Sequence, residues 1–239
     1  MPLIAIDGLD GSGKHTQAQL LFEELSKTYH THLIDFPRYE NPSSTLVREH
    51  LSNRTSTDSR WENPYLVSSY YACDRAISYQ TEEWRDWLDA GHVVISDRYI
   101  TANMIYQTTK LPESKRREFL HWLWDYETVR LRIPAPDLTL YLRLSWNMSV
   151  KLLDERSKKK QSPDKNLNGK KDVYESNKDF LRECYYTANQ VADMPEFDWN
   201  VIPCDDDVHG IRPQEDIHAD IMACMARNNI LKNARKLND

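Results

Sequence analysis

Residues 3–14 read LIAIDGLDGSGK, and residues 15–27 continue HTQAQLLFEELSK. Leu3 to Asp7 has the length and branching of a buried strand. The turn that follows holds Gly8, Gly11, Gly13 and Lys14 in the spacing G-x-x-x-x-G-K, and a helical stretch comes next. Glycines let consecutive backbone N–H groups turn inward around phosphate oxygens with no Cβ in the way. The helix then aims its positive end at the same anion, and Lys14 adds a full charge for the β- and γ-phosphates of ATP. The chain has 6 glycines, and three of them fall in this loop. Gly8, Gly11, Ser12, Gly13, Lys14, His15 and Thr16 are therefore the candidate ATP contacts. The residue after such a lysine usually offers Mg²⁺ a hydroxyl; here it is His15, with Thr16 next. Imidazole is a poor partner for a hard cation, so either Mg²⁺ is held through water and a carboxylate, or Thr16 substitutes, or the loop has lost ATP chemistry.

Outward from this loop, short apolar runs alternate with longer helical patterns. Leu3 to Asp7, His32 to Phe36, His92 to Asp97, Leu138 to Leu144 and Asn200 to Cys204 read as buried strands. Helical patterns lie near residues 14–28, 62–90, 113–130, 146–156, 173–194 and 213–233. Strands that alternate with helices imply a parallel sheet with crossover connections, an α/β fold. The chain's 239 residues suit one such domain, residues 1–239, with an inserted segment. That segment is Arg156 to Asp172, RSKKKQSPDKNLNGKKD, with seven Lys or Arg and two acidic residues. It reads as a solvated surface loop or, beside a phosphate site, as a basic lid over about 156–172.

Bulk composition narrows the functional classes. A net charge of −6 argues against a dedicated nucleic-acid or anionic-membrane binder. The 4 cysteines have no close spacing, so neither a zinc site nor a disulfide framework is expected. MPLIAIDG at the start carries no basic leader, and no apolar stretch is long enough to span a bilayer, so a cytoplasmic location is the expectation.

Four further pieces stand where α/β sheets place ligands: Asp35-Phe36-Pro37-Arg38, Tyr70-Tyr71-Ala72-Cys73-Asp74-Arg75, Asp97-Arg98-Tyr99 with the stretch to Gln107, and Asp172-Val173-Tyr174-Glu175. Taken singly, each has a structural explanation. Arg38 would pair with Glu40, Arg98 with Asp97, Tyr70 and Tyr71 would pack, Asn103 would cap a helix, and Asp10 would make a turn. In this order, with GLDGSGKHTQ, they resemble the thymidylate kinase family from residue 3 to about 220.

The resemblance implies a three-layer P-loop kinase fold, with a five-stranded parallel sheet in the order 2-3-1-4-5 and a basic lid. It implies transfer of the ATP γ-phosphoryl group to dTMP, with Mg²⁺. Arg38 and Arg98 would hold the monophosphate, because a planar guanidinium matches phosphate oxygens. Tyr71 matches the aromatic that stacks on thymine, and Arg75 the arginine on the base carbonyl. Asn103 matches an amide on the base edge, Asp10 the acceptor for the 3′-hydroxyl, and Tyr106 the aromatic beneath the deoxyribose. Asp97 would stand near Mg²⁺. The loop offers Gly11 and Ser12 where some members carry a catalytic arginine, so Arg156 of the lid joins Lys14 and Arg98 as the catalytic cations. The chain departs from the family at His15, at Ala102 (often serine) and at Val173 (often arginine). A deoxynucleoside kinase on the same fold and a non-catalytic nucleotide-binding regulator are the rival readings. A homodimer through the helix at 62–90 is a further expectation, with Tyr65, Trp84 and Trp87 as its face, or else as core.

Overall fold

Strands Leu3–Gly8 (β1), Thr31–Asp35 (β2), Val93–Asp97 (β3), Leu138–Arg143 (β4) and Trp199–Pro203 (β5) form one parallel sheet. Their order is β2-β3-β1-β4-β5, as the resemblance implied. The structure is a computed structural model. It describes the backbone of residues 2–52, 63–159, 177–206 and 210–238, and their side chains except at 52, 153, 154 and 156–159.

The two faces of β1 explain the layers. Leu3 and Ala5 point into one core and Ile4 and Ile6 into the other, as the period of two requires. On the Ile4 side, Lys14–Leu25 (α1) contributes Ala18, Leu21 and Leu25. The last long helix packs beside it through Ile217, Ile221, Cys224 and Met225. The Leu3 side takes Trp84 and Leu88 of Trp84–Asp89 (α4), Ile100, Met104 and Ile105 of Ile100–Tyr106 (α5) and Phe119, Leu120 and Leu123 of Glu113–Trp124 (α6). Each such aliphatic side chain contributes about 1.5–3 kcal/mol relative to exposure.

The remaining helices are Thr45–Ser52 (α2), Pro64–Thr81 (α3), Trp146–Lys159 (α7), Lys178–Ala192 (α8) and Gln214–Arg227 (α9). Asp205–Asp206 (β6) pairs antiparallel with Gly210–Ile211 (β7). All five sheet strands run the same way, so Gly8, Asp35 and Asp97 end at one rim, with Asp35 and Asp97 in register. That rim is where a parallel sheet leaves room for a ligand.

The helical pattern at 62–90 is two helices. Helix α3 stops at Glu82, which is extended at φ −108° and ψ 166°. The chain then turns so that buried Trp84 donates its indole N–H to Ser78 Oγ at 3.2 Å. Trp84 is 1% exposed, and Tyr65 and Trp87 pack against the core, so none of the three forms an exposed dimer face. Helices α2 and α5 fall where the pattern showed none. Helix α7 runs to Lys159, past the expected end at 156. Residues 160–172 of the expected lid lie outside the described residues.

Candidate active site

The turn after β1 closes tightly. A Cβ on Gly8 would stand 2.5 Å from Ser12 Oγ and 2.8 Å from the Leu142 carbonyl oxygen, so only glycine fits there. Gly13 has φ +84° and caps α1 with no side chain, which leaves the first N–H groups of the helix open toward the loop. Ser12 Oγ is buried with no partner among the described residues. Uncapped N–H groups, an unpartnered buried hydroxyl and a nearby lysine are donors of the kind that can cradle a phosphate.

Lys14 is almost fully buried. Its Nζ lies 3.3 Å from the Leu9 carbonyl oxygen and 3.3 Å from Asp10 Oδ1. Burial and the neighbouring Arg98 charge both lower its pKa, against the pull of Asp10 and Asp7. Asp10 Oδ1 also accepts from Arg98 Nη2, and Asp10 Oδ2 accepts from the Tyr106 hydroxyl at 3.3 Å. Burial alone would raise the Asp10 pKa; Arg98 and Lys14 outweigh it and hold the carboxyl well below its usual range. Arg98 has φ +67°, a left-handed conformation that costs a non-glycine residue about 1–2 kcal/mol. Its carbonyl is held by Ser96 Oγ at 2.6 Å, and its guanidinium lies 5.6 Å from the Tyr106 ring centre. Behind this group, Asp7 is fully buried, accepts from Thr101 Oγ1 at 2.6 Å and from Gly8 N–H at 2.8 Å, and has its pKa raised by burial.

A cavity opens beside Asp10. Its wall includes Asp10, Arg98, Tyr71, Arg75, Asn103 and Tyr106, with Ala102 and Gln107. Tyr71 and Arg75 are one turn apart on α3, and Asn103 and Tyr106 one turn apart on α5, so each pair shares a face. Arg75 is 2% exposed. Its Nε and Nη2 donate to Glu127 at 2.7 and 2.6 Å, and its guanidinium lies 5.9 Å from the ring centres of both Phe36 and Tyr99. Asn103 Nδ2 donates to the Ser68 carbonyl at 3.1 Å and to Glu127 Oε1 at 3.0 Å; the amide does not cap a helix.

Six of the expected residues thus converge, and Arg38 and Asp97 stand apart. Arg38 is outside the cavity wall. It donates to Glu82 through Nε at 3.3 Å and Nη2 at 2.6 Å and to Asp35 through Nη1 at 3.0 Å; among the described residues its acidic partners are these, and not Glu40. Its backbone N–H donates to Asp74, which also accepts from Ser43. Asp97 ends β3 and meets His15, not Arg98: His15 Nδ1 is 3.1 Å from Asp97 Oδ2. His15 is exposed and Thr16 half-buried, both in the first turn of α1. Arg156 lies in α7, and its side chain is outside the described residues.

Glu127, Glu82 and Asp7 escaped the sequence reading. Each is a carboxylate with a side-chain partner far off in sequence. For Glu127 the one available signal is an acid next to an aromatic-rich run, FLHWLWDYE.

Comparison with known proteins identifies the family. A model of the family described as thymidylate kinase matches residues 6–196. The thymidylate kinase of Mycobacterium tuberculosis is 31% identical over 161 residues, 65% of this chain and 70% of that protein. That of a Sulfurihydrogenibium species is 30% identical over 164 residues, 67% of this chain and 74% of that one. The solved structure of thymidylate kinase from Candida albicans shares the fold at TM-score 0.68 and 24% identity, covering 96% of this chain and 92% of that one. With 191 contiguous positions matched by the family model and the phosphate loop joined to an aromatic cavity, the chain belongs to the thymidylate kinase family.

Proposed function

We propose that the loop at residues 8–16 takes the phosphates of ATP, that the adjoining cavity takes the nucleoside of dTMP, and that the chain moves the γ-phosphoryl group between them to give dTDP. The observation that carries this assignment is the double membership of Asp10. It sits inside the phosphate loop, holding Lys14, and it also lines the cavity, holding Arg98. Donor and acceptor would therefore meet across one residue, which an in-line transfer requires.

Each side chain then has a task. Lys14 leaves Asp10 and turns to the β- and γ-phosphates, and Ser12 Oγ gains an acceptor. Arg98 holds the acceptor phosphate with its planar fork; Arg38 joins it by exchanging Glu82 or Asp35 for phosphate. Tyr71 stacks on the base, Arg75 and Asn103 read its edge, and Tyr106 lies beneath the sugar, whose 3′-hydroxyl donates to Asp10. Arg156 and the lysines after it would add positive charge to the migrating group and exclude water.

Mg²⁺ fits the donor set at the rim. Asp97 and Asp35 stand in register at adjoining strand ends, and Mg²⁺ is commonly held by one or two carboxylates plus substrate phosphates. When bound, it neutralises charge on the phosphates during transfer. His15 already contacts Asp97, so its exchange for a hydroxyl should be tolerated. Assays of His15→Ser and Asp97→Asn with and without chelator test this assignment. We expect activity kept or raised in the first, reduced at least about tenfold in the second (~1.4 kcal/mol), and abolished by chelator. A dead His15→Ser beside an active Asp97→Asn would refute it.

The four cysteines are all free, which suits a reducing cytoplasm, and among the described residues no helix is long and apolar enough to cross a membrane. A homodimer would use the face of α3 on which Leu66 and Ile77 are both exposed. Sedimentation of native protein against Ile77→Lys checks this.

A further inference from the structure

We propose that Glu127 is a positioning residue for base recognition, fixing which edge of Arg75 and which end of the Asn103 amide face the cavity. The proposal rests on the reading that this cavity takes the base.

Glu127 is fully buried, lines no part of the cavity and belongs to a single π-helical stretch, Asp125–Arg130, that extends α6. A π turn inserts an extra residue into the helical register and recurs at functional sites, because it re-aims a side chain. Here it accompanies a carboxylate that lies beneath both residues assigned to the base edge. Oε2 accepts from Arg75 Nε, while Oε1 accepts from Arg75 Nη2 and from Asn103 Nδ2. An ion pair serving stability alone needs only the first two contacts.

The arrangement has a chemical consequence. Glu127 takes the Nε/Nη2 edge of a planar guanidinium that Phe36 and Tyr99 flank, which leaves Nη1 as the donor for the cavity. Glu127 and the Ser68 carbonyl together take both hydrogens of the Asn103 amide nitrogen. Its oxygen is then the end presented to a ligand. A donor beside an acceptor complements the C4 carbonyl and N3–H of thymine or uracil. Cytosine would set its exocyclic amine against the guanidinium and its bare N3 against the amide oxygen, and buried polar groups left unpaired are costly. Glu127 also neutralises Arg75, so the arginine can face the edge of an uncharged base.

The test is calorimetric binding of dTMP and dCMP, without ATP or metal, to native protein and to Glu127→Gln and Glu127→Asp. Aspartate keeps the charge near Arg75, and so the fold, while withdrawing the carboxylate from Asn103. Native protein should bind dTMP more tightly than dCMP by at least about a hundredfold, because dCMP would leave buried polar groups unpaired. Both variants should cut that ratio to about tenfold or less, through weaker dTMP binding and with the KM for ATP unchanged. A folded variant that keeps the native ratio, or native protein that binds dCMP as tightly as dTMP, overturns the proposal. The native measurement stands even where a variant fails to fold. Asn103→Ala separates the two levels of the argument. If it shifts the ratio and the Glu127 variants do not, Glu127 alone loses its role. If it too shifts nothing while dTMP is still phosphorylated, the base binds elsewhere and the reading of the cavity falls with it.

Discussion

Asp10→Asn perturbs the one residue that both halves of the site share. In the native chain its carboxylate neutralises Lys14 and Arg98, whose side chains are 10% and 24% exposed. Removing one partner of a buried ion pair costs about 3–5 kcal/mol, because the other charge stays behind. The residual exposure here, and the hydrogen bond an amide oxygen still accepts, place the cost nearer about 2–3 kcal/mol. For a chain of this size, 1 kcal/mol shifts Tm by about 2–4 °C, so the variant should melt about 4–12 °C lower. The deficit should shrink when ATP is added, since phosphate oxygens then supply the missing negative charge; native protein gains only the ordinary linkage term, about 2.7 kcal/mol at a hundred times Kd. The pH dependence has a definite sign. A carboxyl whose folded pKa lies below its unfolded value stabilises above the unfolded value, near pH 4, and loses that contribution as pH falls below it. The gap between native and variant should therefore be equal at pH 7 and pH 5 and close only in stronger acid. Thermal unfolding with and without ATP measures all of this. A variant within about 1 °C of native, or a gap that ATP leaves unchanged, would refute the view that Asp10 holds the two cations until phosphate arrives.

Three further outcomes are expected. Lys14→Ala should lose more than about tenfold in turnover, over ~1.4 kcal/mol, with native circular dichroism; a smaller loss would remove it from phosphate binding. Arg98→Ala and Arg38→Ala should raise the KM for dTMP more than that for ATP, each removing a charge-assisted contact of roughly 1.5–3 kcal/mol; an effect on ATP alone would place them on the donor side. Far from the site, His32 Nε2 lies 2.9 Å from His92 Nδ1 and its ring stacks on Trp87, and burial with the neighbouring histidines lowers its pKa to about 4. A histidine with a depressed folded pKa stabilises fully above its unfolded value, near 6.5, and loses that contribution as pH falls from there toward about 4. The Tm gap between native protein and His32→Asn should thus narrow from pH 7 to pH 5, and a gap that widens would contradict the assignment.

The sheet was legible because each strand is buried on both faces and so reads as an apolar run, with the ends placed within one residue. The loop after β1 was legible because its glycines answer local demands: Gly8 has no room for a Cβ beside Leu142 and Ser12, and Gly11 and Gly13 have positive φ. Short helices were harder. Ile100–Tyr106 has seven residues, too few for a periodicity to declare itself, and the break at Glu82 comes from Trp84 docking into the core rather than from a glycine or proline. Side-chain pairing was least legible. Arg98 chose Asp10 over its neighbour Asp97, and Arg75 chose Glu127 from 52 residues away. Those choices depend on the crossing of α3, α5 and the π turn, which no local spacing encodes.

The most direct test of the central claim is phosphoryl transfer by the native chain from ATP to dTMP and, in parallel, to thymidine, with products separated by ion-exchange chromatography. Arg98 in the cavity wall suits an acceptor that already carries a phosphate, since a guanidinium pairs with phosphate and cannot take a proton. The account predicts rapid formation of dTDP and ADP in equal amounts, with little or no dTMP made from thymidine. Phosphorylation of thymidine in preference to dTMP, or nucleotide binding with no product from either, would contradict it.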